Sequence, residues 1–366
     1  MFSLIFLSVC TLLHSYLCWR LVALFSQHNT PRRRWLTSLA VAVWVLFAAS
    51  WMGHSQIFPG HHAAEWIWSQ WLGILFLLSV PLLLVDGVTL FGCLYRPIRP
   101  VLGKSAVVVG IVLCAIALVQ GTRPPVISSY EITVDRLPPE LDGLSVVALS
   151  DLHLGPLLDP PWLSKRLEQV SQLSADMIVF VGDIFEVGEP EADAFIDRLR
   201  TLKARYGVWG VSGNHEYYGG NKLSLFAPAG ITLLQNRWEV VTPGLIIAGV
   251  DDLTIAQRQG RAGVTLVDSA LSDRPDGATI FLSHTPWQFD KAVQHQVDIM
   301  ISGHTHGGQI WPFNYLVAQR YPTLAGHYRD KTSQLFVGRG TGTWGPRMRL
   351  WQRAEILHLT LRCPQP

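Results

Sequence analysis

The first 121 residues constrain this chain most: they hold seven Lys/Arg and two Asp/Glu, against twenty-two and twenty-five in residues 122–366. Within that block four apolar runs follow one another, at roughly 2–26, 35–51, 67–91 and 101–120. A helix needs about 20 residues to cross a hydrocarbon core, and a soluble helical core seldom offers four such runs in succession. We expect residues 1–121 to form an α-helical bundle of four transmembrane helices.

Details of the block fit a bilayer. Trp19, Trp35, Trp51, Trp66, Trp68 and Trp71 fall near run ends, where amphipathic rings favour the headgroup layer. Arg20 is placed to snorkel to the interface. The first connection carries Arg32, Arg33 and Arg34, the third Arg96, Arg99 and Lys104, and the second no Lys or Arg. The positive-inside rule puts the first and third loops in the cytoplasm and everything after the fourth helix outside it. The N-terminal run lacks a basic leader and a small-residue cleavage site, so it reads as a retained anchor. Asp86, the one acid inside a run, reads as the cytoplasmic end of an overlong third helix; a functional intramembrane acid is the other reading. His14, His54, His61 and His62 read as interfacial or packed residues.

Gly121-Thr122-Arg123-Pro124-Pro125 breaks the helix and opens a second domain, 122–366. This domain is faintly acidic, and no basic run or basic-aromatic stripe indicates a nucleic-acid partner. The five cysteines, at 10, 18, 93, 114 and 363, imply no disulfide framework. No sequence feature specifies an oligomeric state. Short β-branched runs at 129–134, 145–150, 177–181, 207–211, 245–250, 279–283, 299–302, 335–337 and 356–361 alternate early on with helical stretches at 161–172, 192–202 and 287–294. Asp159 ahead of Pro160-Pro161 is good helix-start chemistry. The pattern predicts a layered α/β sandwich.

Five polar clusters stand just beyond strand ends, where open α/β sheets build their sites. They are Asp151-Leu152-His153, Gly182-Asp183, Gly213-Asn214-His215-Glu216, Ser283-His284 and Gly303-His304-Thr305-His306. Each alone is weak, because such short groups are common turn chemistry. In this order, each at a strand end, they offer the oxygen and imidazole donors that adjacent divalent metals need.

These motifs resemble the calcineurin-like metallophosphoesterase family: Asp-x-His, Gly-Asp-x-x-Asp, Gly-Asn-His-Asp/Glu, a lone His, then Gly-His-x-His. The likeness spans roughly residues 129–361. Leu141-Asp142-Gly143-Leu144, Ser150–Gly155 and Gly303–Gln309 look like its membrane-associated bacterial branch. The resemblance implies a four-layer α/β/β/α sandwich and a hydrolase of phosphate monoesters or diesters. It implies one metal on Asp151, His153, Asp183 and His306 and a second on Asp183, Asn214, His284 and His304, with Asp183 bridging. Donors of N and O without thiolate suit Mn, Zn or Fe better than Mg or Ca. The resemblance makes His215 the group that protonates the leaving oxygen or steadies the transition state, and Glu216 is expected to orient its imidazole. Glu186 departs from the pattern, standing where Asp is usual, and is expected to support the ligands.

The expected activity is metal-dependent phosphoester hydrolysis by a multi-pass protein of the bacterial inner membrane, with its catalytic domain outside the cytoplasm. The anchor extends the substrate range to lipid-linked phosphates. Two other readings stay open: a cytoplasm-facing pyrophosphatase of nucleotide-linked lipid precursors, and a non-catalytic sensor or scaffold stabilised by metal. Gly340-Thr341-Gly342-Thr343-Trp344-Gly345 matches Gly-x-Gly-x-x-Gly, but Pro346-Arg347 opens no helix, so no dinucleotide site is expected. Arg339 and Arg347 read either as substrate contacts or as solvated residues. Tyr315-Leu316-Val317-Ala318 reads as a core segment before a bilayer-seated one.

Overall fold

A computed structural model describes residues 2–26, 30–52, 61–95, 97–261 and 266–364. His54 and Arg96 lie outside them, as do the side chains of His61 and His62. The chain divides into two units, Met1–Thr122 with Gly345–Leu350, and Arg123–Trp344 with Trp351–Pro366.

The first unit consists of helices α1 (Phe2–Phe25), α2 (Thr30–Met52), α3 (His61–Val88) and α4 (Arg99–Thr122). Among the described residues three stretches are long and apolar enough to cross a membrane, Phe6–Phe25, Trp66–Val88 and Arg99–Thr122. The helix α2 has the length, at 23 residues, but opens on three arginines. Leu17, Leu24, Leu75, Leu82, Ala106 and Val107 form an apolar cluster. A side chain at Gly110 would start 2.8 Å from Leu78 Cδ2, so α4 meets α3 through a small residue, the usual way apolar helices approach in lipid.

Two expectations change here. Arg20 does not snorkel: its side chain is 3% exposed and its Nε lies 2.9 Å from the buried carboxylate of Asp86. The Tyr16 hydroxyl donates to the same oxygen at 2.7 Å. Asp86 is therefore the centre of a buried cluster joining α1 to α3, not a free helix end. His14 is packed, its Nε2 3.0 Å from the Ala40 carbonyl oxygen. The segment Gly345–Leu350 joins this unit through the Arg349 N–H, which donates to the Ala117 carbonyl at 2.9 Å.

The second unit is mixed α/β with two six-stranded sheets. Its elements in order are β1 (Val126–Thr133), β2 (Leu144–Leu149), α5 (Pro160–Ser171), β3 (Met177–Val181), α6 (Asp193–Leu199), β4 (Val208–Val211), β5 (Thr232–Leu233), β6 (Arg237–Thr242), β7 (Leu245–Gly249), α7 (Leu253–Arg258), α8 (Leu266–Leu271), β8 (Ala278–Leu282), α9 (Phe289–Gln294), β9 (Ile299–Ser302), α10 (Phe313–Arg320), β10 (Gly326–Asp330), β11 (Ser333–Val337) and β12 (Glu355–Arg362). One sheet runs β1-β12-β2-β3-β4-β5 and the other β10-β11-β9-β8-β7-β6. The runs β2-β3-β4-β5 and β7-β8-β9-β11 are parallel.

Burial explains the arrangement. Strands such as β3, β7, β8 and β9 are buried at every position, as parallel strands covered on both faces must be. Val146, Val179, Ile247 and Ile280 share one core between the sheets. The outer face of the first sheet packs under α5 and α6, and that of the second under α7, α8 and α9. Asp159 caps α5, accepting from the Trp162 N–H at 2.8 Å.

Three strands and three helices escape the sequence patterns: β5, β6, β10, α7, α8 and α10. The strand β6 (RWEVVT) and β10 (GHYRD) are sheet edges with mixed polarity. The 315–318 stretch is not a core segment, since α10 has no buried residue.

Candidate metal centre

The parallel strands aim their carboxyl ends at one place. Asp151 follows β2 by two residues, Asp183 follows β3, Asn214 follows β4, His284 follows β8, and His304 and His306 follow β9. The loops tie to one another through main-chain bonds. The Asp151 N–H donates to the Gly182 carbonyl at 3.0 Å and the His153 N–H to the Asp183 carbonyl at 3.0 Å. The His304 N–H donates to the Asp151 carboxylate at 3.0 Å and the His215 N–H to Asp183 Oδ1 at 2.8 Å. Asp151, His153, Asp183, His304 and His306 all hold positive φ, between 48° and 70°. Left-handed backbone at non-glycine residues is costly and collects at functional sites. Gly213 allows the closest approach: a side chain there would start 2.1 Å from Asp183 Oδ1.

The donor atoms gather in groups. His306 Nε2 lies 3.4 Å from Asp151 Oδ1 and 3.1 Å from His153 Nε2. His284 Nε2 lies 3.2 Å from Asp183 Oδ2 and 3.2 Å from His304 Nδ1. Asp183 Oδ2 is also 3.9 Å from His153 Nε2, so one oxygen faces both groups. Ligands held at about 2.1 Å from a common ion stand about 3.0–3.5 Å apart, which the four separations within the two groups match and the 3.9 Å between the groups exceeds. Asn214 Oδ1 is buried and has no hydrogen-bond partner among the described residues, so its lone pairs are available to a cation or a donor. The His284 Nδ1–H donates to the Val181 carbonyl at 2.7 Å, leaving Nε2 as the lone-pair donor toward Asp183.

Electrostatics agree with a cation site. Burial pushes the Asp183 carboxyl up, but His284, His215 and His153 outweigh it and hold it well below the carboxylate range. Burial works against a charged His284, yet the carboxylates of Asp183, Asp151 and Asp252 raise it well above its usual value. Burial, then the neighbouring His284 charge, lowers His304 to about 4. Asp151 goes the other way: burial outweighs His284 and His153 and raises its carboxyl, so keeping it charged calls for further positive charge beside it.

His215 meets a different acid from the one expected. Its Nδ1 lies 2.9 Å from Glu186 Oε1, and Glu186 Oε1 lies 2.5 Å from His153 Nδ1. Glu186 thus supports both imidazoles, and Glu216 supports neither. Glu216 is fully buried, and its carboxylate accepts four main-chain N–H groups: Asp183 at 3.0 Å, Ile184 at 2.7 Å, Phe185 at 3.1 Å and Gly213 at 2.7 Å. A 3₁₀ turn over His215–Tyr217 sends the two neighbouring side chains to different sides. Burial opposes charge on His215, but Glu186, Asp183 and Glu216 raise it to about 9.

The sequence reading missed Tyr321, whose hydroxyl is 2.7 Å from His304 Nε2. It also missed Tyr218 and Trp344, whose rings stand 5.2 and 6.2 Å from His215. No motif marks these; only tertiary contact reveals them. Arg339 is committed to Glu355, 2.5 Å away. The Gly340–Gly345 loop opens no helix and instead packs on the metal loops, the Gly342 N–H donating to the Asp151 carbonyl at 3.0 Å.

Comparison with known proteins points the same way. Residues 144–308 match the family model described as calcineurin-like phosphoesterase. A zebrafish (Danio rerio) protein described as a transmembrane protein with metallophosphoesterase domain is 31% identical, over 80% of this chain and 74% of its own length. A Bos taurus protein of the same description is 34% identical over 72% of this chain and 63% of its own. An uncharacterized metallophosphoesterase of Helicobacter pylori is 35% identical over 66% of this chain and 65% of its own. The match thus spans slightly less than two thirds of the bovine and Helicobacter proteins.

Proposed function

The chain belongs to the calcineurin-like phosphoesterase family, metal-dependent hydrolases of phosphoesters, and on that premise we propose a dinuclear phosphoesterase anchored in the bacterial inner membrane. Residues 1–121 are its four-helix membrane domain and 122–366 its catalytic domain, facing away from the cytoplasm. Asp151, His153, Asp183 and His306 would hold one divalent ion. Asp183, Asn214, His284 and His304 would hold the other, with Mn, Zn or Fe as the metal. The observation that carries this reading is the single Asp183 oxygen shared by both donor groups. When bound, such ions would polarise the phosphate and acidify an attacking water.

The chain's own residues supply the rest. His215, held at Nδ1 by Glu186, has Nε2 left to face the substrate. The Glu186 carboxylate beside it favours its protonated form, and it would give that proton to the departing oxygen. Glu186 positions both His215 and His153. Glu216 fixes the turn that carries Asp183 and so acts through the backbone. The membrane helices favour phosphates borne on lipids as substrates.

The test is turnover of an aryl phosphodiester by the purified full chain with and without added Mn. Asp183→Asn and His215→Ala should each lose activity at least 100-fold, the scale of losing a proton donor. Full activity in Asp183→Asn would end the proposal. Reporter fusions after residue 121 test the topology, and cytoplasmic activity of the fused reporter would reverse the assigned side.

A further inference from the structure

The helix α10 presents apolar side chains outward. Phe313 is 45% exposed, Tyr315 63% and Leu316 57%, while Gln319 and Arg320 complete the outer face toward its end. Among the described residues of this unit, seven large apolar side chains are exposed. Five of them are these three, Trp344 and Trp351, so the exposure is concentrated. Local packing brings them together. The Gln309 side chain, four residues before α10, bonds the Trp344 main chain in both directions at 2.9 and 3.1 Å. Gln352, next to Trp351, lies against Gly307.

We propose that α10, with Trp344 and Trp351, is a surface that seats on the phospholipid bilayer and admits phosphoesters borne on membrane amphiphiles to the metal centre. Exposed aromatic and aliphatic side chains beside two exposed tryptophans suit the membrane–water boundary, where tryptophan favours the headgroup level. The bilayer is the occupant because the chain itself carries it. The candidate span α4 ends at Thr122 and β1 begins at Val126, a tether of at most about 14 Å. A soluble partner would have to compete with a membrane that never leaves.

The helix is also tied to the chemistry at both ends. At its start, Gly308, two residues after His306, packs directly on Asn314. At its end, Tyr321 reaches His304. A lipid whose headgroup lies beside α10 therefore has its phosphate near the donor groups. The substrate part of this inference rests on the hydrolase reading above; the seating of α10 does not.

The experiment uses the full chain in nanodiscs of phosphatidylglycerol and phosphatidylethanolamine, with a benzophenone photo-crosslinker at position 316. A second protein carries it at 240, an exposed valine on β6. Lipid adducts at 316, at least fivefold above those at 240, are expected. Equal adduct levels, or crosslinks at 316 that join two protein chains, would overturn the seating. In parallel, Leu316→Glu should lower hydrolysis of a vesicle-borne phosphoester lipid about tenfold while a soluble aryl phosphodiester is turned over within twofold of wild type. Equal losses on both substrates would overturn the delivery role. Lipid adducts at 316, together with wild-type protein that hydrolyses neither substrate, would sink the hydrolase reading and leave α10 on the bilayer. Hydrolysis of the soluble ester without lipid adducts would do the reverse.

Discussion

Replacing Glu216 with Gln removes one carboxylate oxygen and puts an NH2 donor in its place. Oε1 accepts from Ile184 and Phe185, and Oε2 from Asp183 and Gly213. Whichever oxygen is lost, two main-chain N–H groups in a fully buried site then face a donor. Hydrogen bonds to a charged acceptor contribute about 1.5–3 kcal/mol each, so the loss is about 3–6 kcal/mol. That is a large share of the roughly 5–15 kcal/mol that holds a domain folded. The assay is denaturant unfolding of the purified full chain in detergent, followed by tryptophan fluorescence, with bound metal measured on the same samples. The expected result is a clear loss of stability together with loss of metal, because the displaced turn carries Asp183. If Glu216 served instead to orient His215, the variant would stay within about 1 kcal/mol of wild type and lose only kcat. That result would refute the backbone-clamp argument.

Asp86→Leu leaves the buried Arg20 without its partner, and about 3–5 kcal/mol of stability should be lost. The double variant with Arg20→Met should recover most of it, which a double-mutant cycle in detergent measures. For His215, a folded-state value of about 9 against an ordinary 6.5 means its contribution is fully present below pH 6.5 and is lost as pH rises through 9. With divalent ions chelated, wild type should lose about 3 kcal/mol across that window relative to His215→Gln; parallel stability curves would contradict this. Gly213→Ala would drive a methyl into Asp183, and calorimetry should show metal binding weakened at least tenfold.

The gathering of the candidate ligands was legible because they come as short motifs at the ends of apolar strands, so local sequence carried both the element and the donor types. Partners were not legible where contact depends on tertiary packing. Glu216 adjoins His215 in the chain, and adjacency suggested a partnership that the 3₁₀ turn prevents. Glu186, 29 residues earlier, holds the imidazole instead. Arg20 and Asp86 are 66 residues apart and look separately like an interfacial cation and a helix end. The edge strands β6 and β10 lack the continuous apolar runs of the central strands, because one side of an edge meets no neighbour. The helix α10 misled in the opposite direction: its apolar residues suit a core, yet they point outward.

The central claim is that seven side chains hold two divalent ions. Elemental analysis of purified full-length protein, reconstituted with Mn and freed of excess, tests it most directly. The account predicts two ions per folded chain, falling to one or none in Asp183→Asn. One ion or fewer per folded wild-type chain at saturating Mn would contradict it.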